Sequence, residues 1–98
     1  MHFLMIVAHP NPANQDYGTI DGAYVTLYIN EALVTSPETA ARALVEGQGW
    51  DIAEIAESYP ITLESLPNDH PGRHSYEQAL IEGIVARFNT WPLQRRRQ

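Results

Sequence analysis

With 98 residues, 44% of them apolar, the chain has the size and composition of one globular domain rather than of a disordered segment. It contains no cysteine and no lysine, which excludes disulfide scaffolds, thiolate metal sites, thiol nucleophiles, Schiff-base chemistry and the phosphate-gripping lysine of a P-loop. The net charge of −6 hides an asymmetry: Arg95, Arg96 and Arg97 close the chain, while the first 94 residues set twelve acids against Arg42, Arg73 and Arg87, a balance of −9. A body that acidic repels phosphate backbones, so nucleic acid is not an expected partner. Residues 1–94 are expected to form a single domain and residues 95–98 a solvated basic tail. The apolar run 3–8 is too short for a signal-peptide core and no basic residue precedes it. Nothing approaches the roughly 20 apolar residues that span a bilayer. The expectation is a cytoplasmic chain with no membrane partner.

In chain order, residues 3–8 read as a strand, and His9-Pro10-Asn11-Pro12 opens a loop because two prolines oppose both helix and strand pairing. That loop, residues 10–22, is long and polar for so small a domain, as functional or mobile loops are. Residues 23–30 alternate, with Ala23, Val25, Leu27 and Ile29 pointing one way and Tyr24, Thr26, Tyr28 and Asn30 the other, which predicts a half-buried strand. Ser36-Pro37-Glu38 combines an N-cap, a proline at the first helical position and an acid near the positive dipole end. A helix follows, burying Ala40, Ala41, Leu44 and Val45, and Gly47 and Gly49 stop it. Residues 50–59 are ambiguous, since Ile52, Ile55, Ala56 and Tyr59 also fit a helical face. A strand is the better reading, because two glycines precede the segment, Pro60 closes it and a β-bulge reconciles the spacing of Ile52 and Ile55. A helical turn at 62–66, a second helix opened by Ser75 with Gln78 in a capping box, and a closing strand over 84–91 complete the pattern. The second helix is expected to bury Tyr76, Ala79 and Leu80 and to end at Gly83. The fold class is α+β, in the order β-β-α-β-α-β, with a mixed sheet of about four strands and two helices packed on one face.

Candidate chemistry is sparse. Asp69, His70 and His74, with His9 approaching from the first loop, offer imidazole and carboxylate ligands for zinc or non-haem iron. Pro71 and Gly72 interrupt the pair of histidines, so no helix is expected to fix their geometry, and exposed turn histidines are the simpler reading. Glu54, Glu57 and Glu64 offer carboxylates for acid–base work. Glu54 and Glu57 are three apart, which in a regular strand places them on opposite faces. Ser36 and Ser75 read as helix caps, and no Gly-x-Ser-x-Gly elbow exists. The aromatics are more suggestive. Tyr24 and Tyr28 share a strand face and, with Trp50 and Trp91, are expected to form an aromatic interface on an uncovered side of the sheet. Such platforms bind RNA when basic, and this one is acidic.

Four resemblances bear on function. Ile6-Val7-Ala8-His9-Pro10-Asn11-Pro12 resembles the opening of flavodoxin-like quinone reductases, where a first strand runs into a His-Pro loop near the flavin phosphate. It also resembles the strand-Ala-His-Pro opening of zinc deacetylases, which continue with acidic ligands where this chain has Asn11 and Pro12. The likeness covers seven residues and no glycine-rich phosphate loop follows, so His9 is expected to be a strand-end residue hydrogen-bonded to the loop. Gly49-Trp50-Asp51-Ile52, Tyr76-Glu77-Gln78-Ala79-Leu80 and Phe88-Asn89-Thr90-Trp91-Pro92 resemble a small bacterial α/β family of unassigned function over residues 23–92. That likeness implies a fold and no catalytic residue. The layout is also similar to ferredoxin-like small-molecule-binding modules, whose order is β-α-β-β-α-β.

The expected function is a small acidic binding or interaction module, homodimeric and without a cofactor, that recognises a protein or small-molecule partner. One alternative is a metal-dependent or acid–base hydrolase using His9, Asp69, His70 and His74. Another is an accessory or immunity-type protein whose acidity masks a basic partner.

Overall fold

The computed structural model describes residues 1–93; Arg95, Arg96 and Arg97 lie outside the described residues. The elements are β1 (His2–Pro10), β2 (Ile20–Ile29), α1 (Pro37–Gly47), β3 (Trp50–Pro60), a short 3-10 turn (Leu63–Ser65), α2 (Pro71–Glu82) and β4 (Ile84–Pro92). The class is α+β and the order is β-β-α-β-α-β, as expected. No helix among the described residues is long and apolar enough to cross a membrane.

The sheet runs β3-β1-β2-β4, and every neighbouring pair is antiparallel. The expected mixed sheet is therefore corrected to an antiparallel one. The cause is the first hairpin: β1 lies between β2 and β3, so the two strands joined by α1 run parallel without touching.

The placement of the helices is corrected as well, because they lie on opposite faces. Leu4, Ile6 and Ala8 of β1 pack with Val25, Leu27, Ala41 and Val45 in one buried cluster, on the side covered by α1. The alternate residue Phe3 packs with Tyr28, Tyr76, Ala79 and Leu66 in a second cluster, under α2. Side chains alternate across a strand, so two clusters of opposite parity occupy two faces. The unbroken apolar run of β1 is what a central strand buried on both sides requires.

β3 carries two irregularities against β1, between Val7 and Ala8 and between Met5 and Ile6. They seat Ile52 opposite Ala8 and Ile55 opposite Ile6, both toward the α1 face. The expected bulge, between Val7 and Ala8, is present, and the second irregularity, between Met5 and Ile6, turns the acids. Glu54 now faces Val7 and Glu57 faces Met5, so the two acids share the α2 face rather than opposing ones.

The ends of elements follow local chemistry. β1 extends through Pro10, which pairs with Trp50 at the strand terminus, where a missing N–H costs no interior ladder bond. α2 begins at Pro71, four residues before the expected Ser75, since proline suits the first helical position and the His70 imidazole Nδ1 accepts from the Gly72 N–H at 2.9 Å. Ser75 is consequently an interior helix residue, fully buried, whose hydroxyl accepts from Arg87 Nε. Leu80 points outward, and the buried stripe is Gly72, Ser75, Tyr76 and Ala79. The loop after β1 is pinned: Asn14 is buried, its amide donating to the Gln48 carbonyl and its side-chain oxygen accepting from Asp16 N–H. The Asn11 amide donates to Asp51 Oδ1 across the same junction.

Candidate binding face

Register alone lays out the face under α2. Across the order β3-β1-β2-β4, Tyr59, Phe3, Tyr28 and Val85 form one row; Glu57, Met5, Thr26 and Arg87 the next; Glu54, Val7, Tyr24 and Asn89 the third. The last row holds Asp51, His9 and Trp91, with Gly22 beneath the indole. α2 and Leu66 close the first row. The third and fourth rows lack such a cover: Tyr24 stays 49% exposed.

The uncovered end is organised by Trp91. Its ring lies tilted against Tyr24, centroids 4.9 Å apart, and meets His9 edge-on at 6.4 Å. Indole Nε1 donates to Asp21 Oδ2 at 3.4 Å, and His9 Nδ1 donates to the Asp21 carbonyl at 3.0 Å. His9 is thus the strand-end residue that the sequence suggested, tied to the start of β2.

The four expected interface aromatics separate into two kinds. Tyr24 and Trp91 come together on the open end. Tyr28 is 6% exposed, enclosed by Phe3 and α2, and Trp50 is buried on the other face, stacked on Phe88 at 5.7 Å. Both are corrected to core positions. In sequence Tyr28 looks like Tyr24, since they differ only in which end of the strand α2 crosses. Trp50 points away because it pairs with Pro10, which shares the parity of Leu4, Ile6 and Ala8 on the α1 face.

The proposed metal ligands do not gather. His70 lies beside Phe3 at the start of β1, and His9 is six residues along that strand, about 20 Å away at the rise of an extended chain. His70 Nδ1 is engaged with Gly72, while Asp69 and His74 are exposed. Among the described residues no group of three or more His, Asp or Glu side chains is placed to hold a metal ion.

Burial raises the Tyr28 phenol above its ordinary pKa, the nearby Tyr59 phenol adds to that, and Arg87 opposes it. Tyr59 is raised as well, by burial and then by the Glu57 carboxylate. The native state therefore holds these protons more tightly than the unfolded chain does. The resulting stability is complete below pH 10.0 and is lost as pH climbs through the raised native values. The expected result is a urea midpoint that falls at alkaline pH, with a smaller fall in the Tyr28→Phe variant.

Sequence reading missed Phe3, Tyr59 and Arg87 as site residues. Phe3 and Tyr59 were hidden in segments read as structural, and the Arg87–Ser75 contact joins two elements that no local pattern relates. Comparison with protein-family models, curated proteins and solved structures found no match.

Proposed function

We propose that this chain is a small acidic binding module acting as a cytoplasmic homodimer, with Tyr24 and Trp91 at the centre of its contact surface and a protein or small molecule as its partner. The observation that carries this reading is the half-exposed Tyr24, packed against Trp91 at the end of the sheet that α2 leaves bare. Aromatic side chains bring large rigid contact area at small entropic cost, which is why they concentrate in interfaces. The scattered histidines lend no support to a hydrolase.

Light scattering coupled to size exclusion tests the dimer. The chain is expected to run at twice its mass at high micromolar concentration, and Tyr24→Glu at the single mass. A wild-type monomer under those conditions goes against the proposal.

The acids in the rows of the aromatic pair, Asp21, Asp51 and Glu54, favour a second reading, in which the same surface masks a basic protein. Salt separates the two. Screening relieves repulsion between identical acidic copies and strengthens the dimer, whereas it weakens a complex with a basic partner.

A further inference from the structure

At the covered end of the same face, two hollows of about 480 and 350 Å³ share Phe3, Tyr28 and His70 as lining. The larger is walled by Tyr59, Ile61 and Leu66, and the smaller by Ser75 and Arg87. A cavity of this size with apolar walls and a few converging polar groups is the usual form of a small-ligand site.

Tyr28 is the most informative residue here. Its ring is fixed edge-on to Phe3 at 5.3 Å, and the residue is 94% buried, with only 6% of its surface exposed. Its hydroxyl abuts Gly72, where any β-carbon would collide with it. Among the described residues that hydroxyl has no hydrogen-bond partner, and it is not sealed away from the hollows it lines. The O–H thus faces the hollows rather than a protein acceptor and is free to donate to a group bound there.

Its neighbours are donors too. Because His70 Nδ1 accepts from Gly72, the neutral ring carries its proton on Nε2. Arg87 engages Ser75 through Nε, which leaves the two terminal nitrogens of its guanidinium. Neither hollow has an acid in its lining, although the first 94 residues carry a balance of −9. Glu57, beside Tyr59 at the rim, together with the single arginine, favours a monoanion over a phosphate.

We infer that this cavity binds a small planar aromatic carboxylate, its ring held against Phe3, Tyr59 and Leu66 and its carboxylate accepting from Tyr28, His70 and Arg87. The inference rests on the reading of the chain as a binding module and is independent of its dimer.

The test is an NMR titration of the full ¹⁵N-labelled chain with 2-naphthoate and, separately, with its neutral isostere 2-naphthamide. Saturable shifts are expected at the Tyr28 and Gly72 amides, with a dissociation constant below about 1 mM for naphthoate. Binding of the amide is expected to be at least about tenfold weaker, because hydrogen bonds to a charged acceptor are the stronger ones. Tyr28→Phe keeps the ring and should weaken naphthoate about tenfold, and Arg87→Gln gives an independent loss of similar direction. Equal affinity for acid and amide, an unaltered constant in Tyr28→Phe, or no saturable shift at several millimolar naphthoate each overturns the inference. Light scattering on the same samples keeps the readings apart: a dimer that ignores naphthoate refutes only the cavity, and a monomer that binds it refutes only the dimer.

Discussion

Leu4→Ala is expected to lower the unfolding free energy by about 2–5 kcal/mol, the range for truncating a large buried aliphatic side chain. Leu4 is fully buried on a central strand, paired with Leu27 of β2 and Ser58 of β3, in the cluster that α1 covers. The cavity cannot collapse easily, because β1 is held on both sides by antiparallel ladders. A domain of this size has only about 5–15 kcal/mol of stability in total, so this one change removes a large fraction of it. Met5→Ala makes the comparison. Its side chain lies on the opposite face and is half-buried, away from α1, so about 1 kcal/mol is the expected loss. Urea unfolding of both variants, monitored by circular dichroism, measures the difference. Equal losses would mean that Met5, one row beyond the row that α2 covers, is buried as fully as Leu4, which contradicts the partly covered face on which the proposed function depends.

How much of this was legible follows from which signals are local. α1 was readable because Ser36, Pro37, Glu38, Gly47 and Gly49 mark both ends and Ala41 and Val45 keep a helical period. The bulge in β3 was readable from Ile52 and Ile55, whose spacing fits no regular strand. The facing of the helices was not. The alternation of residues 23–30 suggested one buried side, while the unbroken run 3–8 carried the opposite message, that a central strand would be covered on both. Two neighbouring strands disagreed, and only the strand order settles which pattern governs the sheet. The position of Glu54 and Glu57 failed for a related reason. The bulge between Ile52 and Glu54 was foreseen from the isoleucines, but a second register shift, between Ile55 and Glu57, turns the later acid to the face of the earlier one, and regular alternation no longer applies.

The candidate site divides the same way. Tyr24 and Tyr28 are equivalent in any pattern of period two. What distinguishes them is that α2 starts at Pro71, and that start depends on His70 capping Gly72 rather than on the more familiar Ser75-x-x-Gln78 motif. A side chain that accepts a backbone N–H from an N-cap position is sufficient, and imidazole Nδ1 serves as well as a hydroxyl. The shift of four residues brings Gly72 over Tyr28, buries the phenol ring and turns Ser75 toward Arg87. One capping interaction thereby decides which tyrosine belongs to the core and which to the surface.

Gly22→Ala is expected to destabilise the chain by about 1–3 kcal/mol, the cost of overpacking a filled position. Ordinarily this exchange in a strand is favourable by about 0.5–1 kcal/mol, since alanine loses less backbone freedom on folding. Gly22 has no positive φ to penalise a side chain. The obstacle is Trp91: a β-carbon at position 22 would penetrate its indole ring. Relief requires the indole to swing away, which breaks its contacts with Tyr24 and His9 and its bond to Asp21. Trp91→Ala removes the obstacle, so adding Gly22→Ala to that variant should restore the ordinary small gain. The sign of the glycine substitution is thus expected to reverse between the two backgrounds, a coupling that a double-mutant cycle by urea denaturation reads directly. Emission measured with Trp50→Phe as host isolates Trp91 and should move to longer wavelength in Gly22→Ala as the ring enters water. A variant as stable as its parent with unmoved emission would place Trp91 off Gly22, and with it would go the aromatic surface on which the proposed dimer rests.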